Sequence, residues 1–91
     1  MRFVICYDIA DDARRERTAT ALLDFGARIQ ESVFMATLDD ELLERMAGRL
    51  KKIVDDVDDT VHVFPLCAAC EGKIIRMGRA EVPEERGYYV L

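Results

Sequence analysis

No stretch of this 91-residue chain approaches the roughly 20 consecutive apolar residues of a membrane-spanning helix, which excludes a protein built into a bilayer. The opening Met1–Asp8 segment lacks the length and the small-residue cleavage site of a secretory signal. It reads as a strand that begins at once, so the expectation is a cytoplasmic protein with no membrane partner. Cysteine is scarce. Three residues, an odd number without an export signal, do not make a disulfide framework. The chain has no G-x-S-x-G elbow, no Walker phosphate loop and no dinucleotide fingerprint, which removes the basis for those hydrolases, nucleotidases and oxidoreductases. Its one histidine, His62, has no serine or cysteine that the sequence places beside it, and reads as a sheet-surface residue. An EF-hand loop needs glycine at its sixth position and glutamate at its twelfth. Counting from Asp55 gives Thr60 and Leu66, and counting from Asp58 gives Val63 and Ala69, so Asp55–Asp59 reads as a solvated loop. Internal repeats and low-complexity linkers are also missing.

What remains is a globular composition, 51% hydrophobic and 34% charged, sized for one hydrophobic core. The expectation is a single domain over residues 1–91, with its core in 2–78 and a tail in 79–91. A net charge of −5 argues against a protein that coats nucleic acid non-specifically. The acidic surplus is local: residues 39–59 hold 8 acidic and 4 basic side chains. A basic working surface can therefore still exist elsewhere, and Arg14, Arg15, Arg17 and Arg28 gather in the first third of the chain.

Residues 2–9 are β-branched and aromatic, with one acid near the end, the pattern of a buried central strand. Asp11 and Asp12 supply helix-cap side chains. The helix that follows is expected over 13–25, with Gly26 as a left-handed stop. Short strands are read at 28–30 and 33–38. Asp39 and Asp40 then cap a second helix, whose apolar residues Leu42, Leu43, Met46, Ala47, Leu50, Ile53 and Val54 recur at helical spacing. A strand follows over 60–66, with Val61 and Val63 on one face and His62 and Phe64 on the other. Pro65 places the end of this strand at an edge or a bulge. A last short strand is expected near 73–77. The order β-α-β-β-α-β plus an extra C-terminal strand is the α+β, ferredoxin-like arrangement, with two helices on one face of an antiparallel sheet. The uncovered face needs a cover, and a second copy supplies it, so a homodimer is expected.

Asp8 ends a strand that is otherwise apolar. It reads either as a cap or, since Asp11 and Asp12 already cap, as a carboxylate holding a Mg²⁺ ion through one oxygen. Arg14 and Arg17, at i and i+3, read either as a solvated face or as guanidinium forks addressing successive phosphates. Cys67-Ala68-Ala69-Cys70 follows the fourth strand rather than an early one. It reads as a pair of turn cysteines, with a redox pair or a Cys₄ zinc site shared by two chains as alternatives.

Tyr7-Asp8-Ile9, Asp11-Asp12 with Arg14, Arg15 and Arg17, Arg28-Ile29-Gln30 and Ser32-Val33-Phe34-Met35, in this order and spacing, resemble the second core family of CRISPR-associated proteins. These are the small ferredoxin-like partners of the spacer-acquisition integrase. The likeness covers residue 2 to about residue 66 and extends to Leu66-Cys67-Ala68-Ala69-Cys70. The resemblance implies a homodimer with Asp8 of each protomer sharing one Mg²⁺, and a metal-dependent endonuclease acting on single-stranded RNA or duplex DNA. It implies that Arg15, Arg17, Arg28 and Phe34 serve activity or substrate contact. It also implies a place between two integrase dimers, holding a DNA duplex. Glu31 departs from the tyrosine that many relatives carry and adds a negative charge near the expected phosphate surface. A non-catalytic dimeric scaffold that holds duplex within the integrase complex is the alternative reading.

Overall fold

A computed structural model describes residues 1–75 and 77 of the chain. Strand β1 (Arg2–Asp8) is followed by helix α1 (Asp12–Leu23), strands β2 (Ala27–Gln30) and β3 (Val33–Thr37), helix α2 (Asp40–Lys51), strand β4 (Thr60–Leu66) and the short helix α3 (Ala68–Glu71). The four strands form one sheet in the order β2-β3-β1-β4, with every neighbouring pair antiparallel. The ferredoxin-like α+β order expected from the sequence is present.

The two long helices start where the aspartates allow. Asp11 accepts a hydrogen bond from the Arg14 amide at 2.9 Å, and Asp39 accepts one from the Leu42 amide at 2.8 Å. Each satisfies an N–H that the first turn leaves without a partner. Alternation along β1 sends Ile5 and Tyr7 to the helix side, where they join Phe34, Ala36, Ala19, Leu22, Met46 and Leu50 in the core. Phe34, Ile5, Leu22 and Met46 are fully buried, and each such side chain stabilises the fold by about 1.5–3 kcal/mol. Ile53 and Val54 lie beyond the last turn of α2 but still pack against this core.

Gly26 differs from expectation. Its backbone is not left-handed, and α1 ends at Asp24 in an ordinary right-handed conformation. The glycine is there for space: a Cβ on it would lie 2.3 Å from the Met35 carbonyl oxygen and 2.7 Å from Ala36 Cβ. The approach seats the start of β2 against β3. Pro65 sits in β4 opposite Phe3, and β4 is an edge strand of the described sheet, so its missing N–H removes no ladder bond from the interior.

The strand expected near 73–77 is not formed at Lys73, Ile74, Ile75 or Met77. The chain instead turns into α3 directly after β4, and Glu71 meets Arg2 of β1 in a buried ion pair of 3.3 Å. Arg76 and the expected tail at 79–91 lie outside the described residues. Among the described residues no helix is long and apolar enough to cross a membrane.

Candidate metal and nucleic-acid site

β1 carries Asp8 to its C-terminal end, opposite Thr60 of β4. Tyr7 turns to the helix side, so alternation directs Asp8 towards the uncovered face. Its carboxylate is exposed and has no side-chain partner among the described residues. The nearby acids are committed: Asp11 caps α1, and Asp12 pairs with Arg15. Among the described residues no group of three or more His, Cys, Asp or Glu gathers around a metal position. Asp8 is a hard oxygen donor of the kind Mg²⁺ takes while keeping most of its water. One chain thus supplies half of the expected two-carboxylate donor set, and a second copy would supply the rest.

The four arginines do not form one cluster. Arg14 is bound to Asp59, with Nε 2.8 Å from Oδ2 and Nη2 3.2 Å from Oδ1. Asp59 also accepts from the Ala10 amide at 3.3 Å and the Asp55 amide at 2.8 Å. The Arg14 hydrogen bonds, reinforced by these amides, hold the Asp59 carboxyl down at about 2. Arg14 therefore ties the start of α1 to the loop before β4, and its fork is not free to pair with Arg17 in addressing phosphates. The expectation for Asp59 is corrected as well: its side chain is fully buried, not solvated.

Arg15 and Arg28 line one groove of about 410 Å³, with Tyr7, Asp12, Glu16 and Glu31 around them. Arg15 donates to the Ile9 carbonyl at 3.0 Å and pairs with Asp12. Arg28 projects from β2 over the Phe34 ring, its guanidinium carbon 5.3 Å from the ring centre. Phe34 itself is wholly buried and offers no exposed surface of its own, so the contact expected of it is open only to the Arg28 guanidinium above its ring. The groove is mixed in charge, two guanidiniums among three carboxylates. Arg17 faces a different groove of about 680 Å³ between α1 and α2, shared with Glu16, Arg49 and Ile53. It has no ion-pair partner among the described residues. Arg49, which sequence reading left out, bridges to Asp24 at 2.5 Å and lies over Phe25. Helical spacing alone could have paired it with Arg17 only if the crossing of α1 and α2 had been known.

Cys67 and Cys70 also depart from the turn expected of them. Cys67 is the N-terminal cap of α3, its sulfur accepting from the Cys70 amide at 3.4 Å, and the two sulfurs are 3.3 Å apart.

The fold defines the class first: a ferredoxin-like α+β domain, one antiparallel sheet with both long helices on one face and an exposed carboxylate at the end of an interior strand. Within that class, the family model described as CRISPR associated protein Cas2 matches residues 1–74. The chain belongs to the Cas2 family. It is 38% identical over 77 residues to the CRISPR-associated endoribonuclease Cas2 4 of Rhodospirillum rubrum, a match covering 85% of this chain and 62% of that relative. With the CRISPR-associated endonuclease Cas2 2 of Thermus thermophilus it shares 35% identity over 89 residues, 98% of this chain and 94% of the relative. The crystal structure of a hypothetical protein from Thermus thermophilus superposes with a TM-score of 0.82 at 34% identity, over 91% of this chain and 96% of that one. That of Streptococcus pyogenes Cas2 superposes with a TM-score of 0.78 at 23% identity, over 86% and 100%, a likeness of fold.

Proposed function

We propose that this Cas2-family chain is a CRISPR-associated endonuclease that works in spacer acquisition as a homodimer centred on two copies of Asp8. The observation that carries the reading is the carboxylate itself. Asp8 is exposed at the end of a rigid central strand, while its acidic neighbours Asp11 and Asp12 are occupied. The relatives' names, endoribonuclease and endonuclease, support cleavage of phosphodiester bonds, and the substrates proposed are single-stranded RNA or duplex DNA. Asp8 of each protomer would hold a Mg²⁺ ion. When bound, that ion supplies charge neutralisation at the scissile phosphate and a more acidic water. The chain's own contribution is placement. Arg28, fixed over Phe34, and Arg15, tethered to the Ile9 carbonyl one residue beyond Asp8, set two guanidinium groups in one groove on the helix side of the sheet. These groups offset negative charge on phosphoryl oxygens without reading sequence. Arg17, facing the interhelical groove, is available for a separate backbone contact. The integrase subunit is the partner that this role requires.

The mixed charge of the Arg15–Arg28 groove and the single carboxylate per chain favour a second reading, a dimeric scaffold that holds duplex DNA for the integrase without cutting it. Cleavage of labelled single-stranded RNA and duplex DNA with Mg²⁺ separates the two. The nuclease reading expects wild-type cleavage that is lost with chelator and falls by at least about 100-fold in Asp8→Asn, a swap that keeps shape and removes charge. Inert wild type, or equal cleavage by both proteins, leaves the scaffold.

A further inference from the structure

We propose that Cys67 and Cys70 form a dithiol site that exchanges with low-molecular-weight disulfides and closes reversibly into an intramolecular disulfide. Both side chains are exposed, and their sulfurs stand 3.3 Å apart across one turn of chain. A disulfide needs about 2.05 Å between sulfurs, so closure brings the pair together by little more than an ångström. Capping brings them together: Cys67 is the N-cap of α3 and Cys70 is the third residue of that helix. The pair is also unequal. Cys67 accepts a hydrogen bond from the Cys70 amide, and this bond, together with its contact to the Cys70 sulfur, holds its thiol below the ordinary value. The hydrogen bond to Cys67, and then the charge on it, push Cys70 up. Cys67 is therefore the readier of the two to ionise and attack, and Cys70 the later.

The chemistry follows from that division. The Cys67 thiolate attacks one sulfur of a small disulfide, forming a mixed disulfide and expelling one thiolate, which takes up a proton. Cys70 then loses its proton and attacks Cys67 Sγ, breaking the mixed bond and expelling the second small thiol. One disulfide is reduced to two thiols, and Cys67 and Cys70 are joined. The third thiol, Cys6, is half-buried in β1 and serves as an internal reference.

The site is tested by incubating the folded protein with oxidised glutathione, then alkylating under denaturing conditions and weighing the intact chain. Of three thiols, one should remain in the wild type, with no glutathione retained and all three restored by dithiothreitol. Cys70→Ser should stop at the mixed disulfide and keep one glutathione. Cys67→Ser should keep its Cys70 thiol free under exposure that closes the wild type. Three free thiols throughout, a disulfide between chains, or zinc bound with all the cysteines protected would each overturn the proposal.

Discussion

Asp59 takes four N–H donors on two oxygens, from Arg14 twice and from the amides of Ala10 and Asp55. These bonds favour its charged form, moving its pKa from 3.8 to about 2. Because the folded value lies below the unfolded one, the stabilisation is complete above pH 3.8 and disappears as pH falls to about 2. Asp59→Asn should therefore melt at a lower temperature than the wild type at neutral pH, and the gap should close across that acid window. A gap independent of pH would show that charge has no part in it. Nothing in the run Asp55-Asp56-Val57-Asp58-Asp59 distinguishes the last aspartate from the others. Its burial arises only when α1 delivers Arg14 from 45 residues away. The exposed strand-end position of Asp8 was legible for the opposite reason: an acid that ends an apolar strand, with spare caps behind it, is anomalous within its own neighbourhood.

At the scale of elements, α2 could be read directly, since Leu42, Leu43, Met46, Ala47 and Leu50 recur at helical spacing and admit one buried face, while Ile53 and Val54 extended the pattern past the helix end. Gly26 was found but for the wrong reason, because sequence shows that glycine ends a helix more readily than it shows what passes close to it. Gly26→Ala places a methyl against backbone, the Met35 carbonyl, which cannot rotate away as a side chain can. Chemical denaturation should show a loss of about 1–3 kcal/mol. An unchanged midpoint would mean that β2 shifts freely along β3. α3 escaped notice because Cys67 is an unusual cap, and Ile74-Ile75 resembled a strand. Glu71 takes the chain back to Arg2, and Ile74 and Ile75 never reach a ladder.

For the whole molecule, the decisive asymmetry is that both long helices cover the same side of the sheet. On the other side Val4, Cys6 and Val33 are only half-buried, and Phe64 is 51% exposed. The second copy proposed above would cover that face and would also bring two Asp8 carboxylates together. Light scattering should return the mass of a dimer at micromolar concentration, and Phe64→Glu, which sets a charge on that face, should return a monomer. A monomeric wild type would sink the dimer and the shared metal with it. The sheet order has a further effect on how the molecule is made. β1 lies at the centre, yet Arg2 pairs with Thr37 on one side and Leu66 on the other, so the central strand is synthesised before either neighbour. A nascent chain that has just completed β3 carries a bare strand edge, open to unwanted pairing, until β4 arrives to close it. The assembly of the described sheet is thereby timed by β4.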